Sequence, residues 1–326
     1  MAEIGYALSS EEHAPHDLVR YAQRAEEVGF TFALISDHYH PWTDKQGHSP
    51  FVWSVLGAIG QATHGLRVGT GVTCPTMRIH PAIIAQAAAT AACLMPGRFF
   101  LGVGTGENLN EHILGEGWPA HARRLDMLDE ALEIIRLLWS GGVQSYDGKY
   151  YTIENARVYT LPAQLPPIYI AAGGPISADR AGAIGDGLIC TSPDVEILRT
   201  FDAGGGGARP CIGMVTVCWA NDEAEARRTA LEWWPIAALK GELHQELPMP
   251  AHFEQAAGLV TEDVLAKSIT CGPDAQRHIE AIQEYVDAGF DQIYVHQIGP
   301  DQAGFMQFYQ REVLPEFEEA RQLAGS

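Results

Sequence analysis

Short apolar, β-branched runs alternate with longer amphipathic stretches along almost the whole chain, the pattern of repeated strand–helix units. Positions 4–7 read as a first strand, and 16–28 as a helix that Gly29 stops. A second strand over 32–36 is followed by a helix over about 51–63, and a third strand over 66–72 by an Ala-rich helix over about 81–94. Positions 98–103 make a fourth strand. In the next helix Leu125, Leu128, Leu132, Ile135 and Trp139 recur at steps of three and four and share one face, until Gly141 ends the run. Asp147-Gly148 between strand-like flanks predicts a hairpin inside an insertion at about 143–160. Strands over 168–172, 188–191, 212–219 and 292–296 bring the count to eight.

Eight strands with intervening helices in 326 residues predict a single α/β domain over 1–326, a (β/α)8 TIM barrel with insertions. The hairpin is one insertion, and an extra helical region over about 222–260 is another. An open doubly wound sheet is the alternative, but no Gly-x-Gly-x-x-Gly follows the first strand to anchor a dinucleotide. The run Ala203-Gly-Gly-Gly-Gly-Ala208 reads as a flexible loop.

Charge narrows the partners. Acidic residues outnumber basic ones 41 to 21, a net charge of −20, which disfavours nucleic acid and anionic membrane surfaces. An anionic cofactor then has to be held by backbone N–H groups and helix N-termini. The six cysteines show no Cys-x-x-Cys pair and no metal-ligand spacing, so they read as reduced thiols. No secretory signal pattern and no apolar run of membrane-spanning length is seen. A cytoplasmic protein that works on a small molecule is expected.

In such barrels the reacting groups stand on loops at the carboxyl ends of the strands. Ser36-Asp-His-Tyr-His-Pro-Trp42 follows the second strand, Gly69-Thr-Gly-Val-Thr-Cys-Pro75 the third and Gly104-Thr-Gly-Glu107 the fourth. Ala171-Ala-Gly-Gly-Pro175 follows the fifth, and Thr191-Ser192 the sixth. His38 is a candidate general base, since an imidazole titrates near neutrality. His40 and His48 lie nearby and are not ranked below it by sequence alone. Glu107 is either a proton-holding carboxyl or a helix-terminal carboxylate favoured by the dipole. Trp42 either stacks on a flat ligand or caps the barrel rim. No Gly-x-Ser-x-Gly elbow supports a serine hydrolase, and no third ligand with defined spacing joins His38 and His40 in a metal site.

Taken together, these loops resemble the luciferase-like superfamily in its branch that uses coenzyme F420, a deazaflavin. Within that branch the resemblance is to the F420-dependent glucose-6-phosphate dehydrogenases. It is carried by Ser36-Asp-His-x-x-Pro-Trp42, Pro75-Thr76, Ile84-Ala-Gln86, Leu101-Gly-Val-Gly-Thr-Gly-Glu107, Tyr169-Ile-Ala-Ala-Gly-Gly-Pro175 and Gly185-Asp-Gly-x-Ile-Cys-Thr-Ser192. The resemblance implies a catalytic histidine at His38, a stacking tryptophan at Trp42 and a catalytic carboxyl at Glu107. It implies coenzyme contacts at Asp37, Val72, Cys74, Thr105, Gly106, Asn110, Gly173, Gly174, Ile176 and Ser177, with Cys74 standing where a threonine is usual. It also implies a non-proline cis peptide at Gly71–Val72, and a homodimer.

The substrate side departs from the pattern. Where the sugar-phosphate enzymes hold the phosphate with two lysines and an arginine, this chain aligns Asp194, His244 and Ser268. Thr191 alone remains of the substrate contacts, and Lys240 or Lys267 would have to supply a cation from another direction. A dianion facing Asp194 is repelled. The expected activity is therefore hydride transfer between the coenzyme and a neutral hydroxyl substrate, an alcohol or sugar. Reduction of a carbonyl or activated alkene by the reduced coenzyme, glucose-6-phosphate oxidation proper, an FMN-dependent monooxygenase and a non-catalytic coenzyme carrier are the rival readings.

Overall fold

The computed structural model describes residues 2–317. Its strands are β1 (Glu3–Leu8), β2 (Phe32–Ile35), β3 (Arg67–Thr70), β4 (Phe99–Val103), the pair β5 (Gln144–Asp147) and β6 (Thr152–Ala156), β7 (Ile168–Ala171), β8 (Gly187–Cys190), β9 (Cys211–Cys218), β10 (Thr270–Cys271) and β11 (Gln292–Gln297). Eight of them, β1, β2, β3, β4, β7, β8, β9 and β11, pair in parallel in a ring that β8–β9, β9–β11 and β11–β1 close. This is a (β/α)8 barrel. The two-residue β10, which no periodicity in the sequence marks, extends the end of β9.

Local chemistry sets the boundaries. The first helix, Pro15–Val28, starts on a proline and ends at Gly29, whose φ of 109° lets the chain turn back onto Ala25 and Glu26. The helix Ala275–Ala288 is capped by the Asp274 carboxylate and closed the same way by Gly289. The glycines after Ala203 serve close packing more than looseness. A side chain at Gly204 would collide with the Asp179 backbone, and one at Gly182 with Phe201 O, so these glycines let the helices Pro175–Ile184 and Val195–Ala203 touch.

Alternation along the strands builds two cores. Inside the barrel Ala7, Phe32, Leu34, Phe100, Tyr169, Ile189, Ile212 and Tyr294 fill the bore as packed layers. Gly69 makes room for the Phe100 ring, which would lie 2.0 Å from a Cβ there. A larger core of Leu, Ile, Val and Ala side chains joins the barrel's outer face to the helices. The plugged bore leaves one usable end, the mouth at the carboxyl ends of the strands.

The hairpin β5–β6 follows the long helix His121–Trp139 and is antiparallel, as the Asp-Gly turn predicts. The extra helical region comprises Glu223–Trp233, a turn at Pro235–Ala238, Leu243–Glu246, Pro250–Ala256 and Glu262–Leu265. It covers one side of the mouth with Trp42, Leu109, Ile236 and Phe253 packed together. Among the described residues no helix is long and apolar enough to cross a membrane.

Candidate active site

The loop after β2 places His38 at the mouth, buried and held on two sides. Nδ1 lies 3.3 Å from the His40 carbonyl oxygen and 3.3 Å from Glu11 Oε1, and Nε2 lies 3.5 Å from Glu107 Oε2. A carbonyl can only accept, so Nδ1 carries the proton of the neutral ring and Nε2 keeps its lone pair. Burial alone would lower the imidazole pKa, but the Glu11 and Glu107 carboxylates outweigh it and raise it above the ordinary value.

Glu11, which sequence reasoning missed, completes this arrangement. It follows β1, and its Oε2 accepts the Ser36 hydroxyl at 2.6 Å and the Ser9 hydroxyl at 3.1 Å. Burial pushes its carboxyl up, yet His38 and the Ser36 hydroxyl together bring it below the usual carboxylate value. A buried carboxylate thus orients and charges the histidine.

The other two histidines of that loop are separated from the site by geometry. His40 is spent on the Leu109 carbonyl at 2.9 Å. The His48 side chain is exposed, and only its backbone reaches Glu11.

Trp42 is buried, its ring edge-on to His38 at 5.0 Å and in contact with His244 and Phe253. Gln46 fixes it by accepting the Trp42 N–H at 2.8 Å while donating to the Trp233 carbonyl. Burial lowers the His244 pKa, so this ring is neutral where it packs on Trp42.

His38, Trp42, Glu107, Gly71 and Thr191 line one cavity of about 170 Å³, with Glu11, Ser36, Met214, Trp234, Tyr294 and His296 completing its wall. The Gly71–Val72 peptide beside it is cis. Two residues expected at the coenzyme also make hydrogen bonds within the protein. Asn110 Oδ1 accepts the Tyr39 and His40 N–H groups, and its Nδ2 donates to Glu107 Oε2 at 2.9 Å. Asp37 accepts the Thr73 hydroxyl and the Arg78 guanidinium, which also reaches toward the buried Glu111. Asn110 therefore aims Glu107, and Asp37 anchors the loop that carries His38.

Cys74 is buried under Gly106 with its thiol 3.0 Å from the Thr76 hydroxyl, and burial keeps the thiol protonated. Thr105 and Gly106, whose φ is 78°, form the turn above it.

Gly173 and Gly174 stand at the uncapped N-terminus of the helix Pro175–Ile184, and a Cβ on either would meet nothing within 4 Å. Ile176 is 66% exposed there, and the Ser177 hydroxyl faces His121. Small residues, a helix N-terminus without a side-chain cap and an exposed apolar side chain thus stand together at this end of the helix.

The substrate-side residues do not all converge. Thr191 reaches the cavity. Asp194 is exposed and caps its own helix by accepting the Glu196 N–H at 2.8 Å. Ser268 borders a neighbouring pocket with Lys267, Arg277 and Pro193. The Tyr285 hydroxyl, bonded to the Thr191 and Met214 carbonyls, stands between the two. Among the described residues no metal-holding group of His, Cys, Asp and Glu forms.

Known proteins are similar to this chain. Residues 1–292 match the family described as luciferase-like monooxygenase. The F420-dependent glucose-6-phosphate dehydrogenase of Nocardia farcinica (strain IFM 10152) is 38% identical over 96% of this chain and 97% of its own length. That of Mycobacterium tuberculosis (strain CDC 1551 / Oshkosh) is 38% identical over 97% and 98%. Among solved structures, an F420-dependent secondary alcohol dehydrogenase in complex with an F420-acetone adduct superposes with a TM-score of 0.89 at 29% identity, covering 96% of this chain and 98% of that one. The protein belongs to the luciferase-like family, in the branch that contains the F420-dependent glucose-6-phosphate dehydrogenases.

Proposed function

We propose that the protein is a coenzyme F420-dependent oxidoreductase acting on CH–OH groups, and that its substrate is an uncharged alcohol or sugar. The observation that carries this reading is His38, which lines the cavity at the barrel mouth with its ring between two carboxylates. Val72, Thr105, Gly106, Gly173, Gly174, Ile176 and Ser177 would hold the coenzyme, with the uncapped helix N-terminus toward its anionic part. When bound, the deazaflavin supplies the hydride acceptor or donor.

The chain's own residues do the rest. His38 takes the hydroxyl proton at Nε2, and Glu11 stabilises the imidazolium that forms. Glu107 is the second proton-carrying group, aimed by Asn110. Trp42 offers a π face that favours positive charge at the reacting carbon, and it shuts water out. In the reverse direction a protonated His38 donates to a carbonyl oxygen.

Oxidation needs a neutral His38, so kcat/KM for the alcohol is expected to rise with pH through an apparent pKa above histidine's ordinary 6.5. In Glu11→Gln one of the two carboxylates that raise that pKa is gone, and the rising limb moves to lower pH. A limb that does not move between the two proteins assigns the ionisation to another group.

The uncharged substrate rests on the cavity wall, which holds no lysine or arginine among its lining residues. Arg78 is committed to Asp37, and Lys240 borders neither pocket. Glucose 6-phosphate is the second reading. The names of the relatives favour it, and so do Lys267 and Arg277 in the adjoining pocket.

Two measurements decide. Fluorescence titration is expected to show oxidised F420 binding more tightly than FMN, and the opposite preference moves the protein to the monooxygenases. Loss of the oxidised coenzyme's absorbance is then expected to be faster, per unit kcat/KM, with propan-2-ol or glucose than with glucose 6-phosphate. A clear preference for the phosphate ester sinks the uncharged substrate. The homodimer and the cytoplasmic location expected from the sequence belong to this same reading.

A further inference from the structure

The two consecutive carboxylates after β1 turn in opposite directions. Glu11 faces His38 in the loop after β2, and Glu12 faces His296 near the end of β11. Strands β2 and β11 flank β1 in the barrel, so one loop braces a histidine on either side. Both members of the second pair are buried.

Glu12 Oε1 accepts the Gly299 N–H at 2.9 Å, and Oε2 lies 2.9 Å from His296 Nε2. A carboxylate only accepts, so Nε2 donates, and in the neutral ring Nδ1 keeps a lone pair. Among the described residues the ring's one hydrogen-bond contact is through Nε2, and the ring lines the same cavity as His38. The Trp234 ring, edge-on at 4.4 Å, holds the imidazole plane in place. The cavity therefore presents two oriented imidazoles where removing a hydroxyl proton requires one.

We propose that His296, held by Glu12, is a specificity-determining acceptor for a second hydroxyl of the substrate, so that the preferred substrate is a diol or polyol over a simple mono-alcohol. The proposal rests on the CH–OH reading above. A mono-alcohol leaves Nδ1 without a partner in the cavity, and sites built to bond a hydroxyl discriminate against analogues that lack it. The proton of this second hydroxyl is shared with Nδ1 and not removed, because only one hydroxyl is oxidised.

The test is a calorimetric titration of the coenzyme-loaded protein with cyclohexanol and with cyclohexane-1,2-, 1,3- and 1,4-diol, which offer the second hydroxyl at three spacings. At least one diol is expected to bind about five- to tenfold more tightly than cyclohexanol, and His296→Leu is expected to remove that preference. Equal binding of all four by the native protein overturns the proposal, as does an undiminished preference in His296→Leu. Thr191→Val and Tyr294→Phe decide the matter where the leucine variant does not fold. Thr191 and Tyr294 bring the rival hydroxyls to that wall, and a preference lost with either takes the role from His296, whereas a preference kept in both upholds His296. Diol-selective binding without turnover upholds His296 and sinks the oxidoreductase reading. Turnover that is indifferent to the second hydroxyl does the reverse.

Discussion

Replacing His38 by alanine is expected to lower kcat for hydroxyl oxidation by about 10²- to 10⁴-fold, the usual worth of a positioned general base, while coenzyme affinity changes little. The reason lies in the geometry of the ring. Nδ1 is tied to the His40 carbonyl and Glu11, so the ring's proton acceptor is Nε2, on the side of Glu107 and the cavity that both residues line. Loss of a group that acts on the reacting proton should appear equally in kcat and kcat/KM, since ground-state binding does not depend on it. His38→Asn is the companion variant. It keeps a polar side chain but has no group that takes up a proton near neutral pH, so its rate should fall nearly as far. Glu11 needs attention in both variants, because His38 is the main partner that offsets its burial. Coenzyme binding by each variant separates lost chemistry from a collapsed site. Undiminished turnover in His38→Ala sinks the mechanism.

The barrel was legible because its signal is redundant. Alternating strands and the three-and-four spacing of Leu125, Leu128, Leu132 and Ile135 each mark an element by themselves, and all eight barrel strands lie within two residues of where periodicity places them, with the largest difference at strand 66–72, observed at Arg67–Thr70. That strand ends early because its apolar and Thr residues continue into the turn at Gly71, which composition alone does not separate from strand. Elements with weak periodicity were not legible. β10 is two residues long, and the short helices between Leu243 and Leu265 owe their form to packing over Trp42.

The site divides in the same way. His38, Trp42 and Glu107 carry unusual side chains in unusual loops, and the fold brings them to one cavity. Glu11, Glu12 and His296 look like ordinary loop and strand residues. The meaning of Glu12 and His296 depends on β11 closing against β1, a pairing across almost the whole chain, and that of Glu11 on β1 pairing with β2. One signal was available, since the carboxyl ends of the first and last strands obey the same placement rule as the others. Asp37 and Asn110 show the opposite limit. Their position is as expected, but their partners, Arg78 and the loop amides, lie at sequence distances that no spacing reveals.

Replacing Arg78 by methionine is expected to cost about 3–5 kcal/mol of folding stability, the range for leaving buried charges without their partner. Arg78 donates to Asp37 Oδ1 at 2.9 Å and to the Asp37 carbonyl at 3.2 Å, and its Nε lies 3.6 Å from Glu111 Oε1. Both carboxylates are almost fully enclosed. Methionine fills much of the space, so the loss is one of charge and hydrogen bonding more than of volume.

The effect has a pH signature through Glu111, which burial raises to about 7 against the opposing pull of Arg78. An acid raised in this way holds a proton in the folded chain that the unfolded chain has already released. It therefore costs stability progressively as pH rises from its ordinary 4.5 to about 7, and no further above that. Without Arg78 the folded-state value climbs higher, so the variant goes on losing stability above pH 7 where the native protein does not. Urea unfolding at about pH 6 and about pH 8 should show a difference between the two proteins that grows at the higher pH. Because the same guanidinium anchors the backbone of Asp37, next to His38, turnover should fall together with stability. A loss under about 1 kcal/mol, the scale of a surface ion pair, or one that is flat with pH, shows that the Asp37–Arg78–Glu111 cluster does not hold the loop in which the catalytic histidine stands.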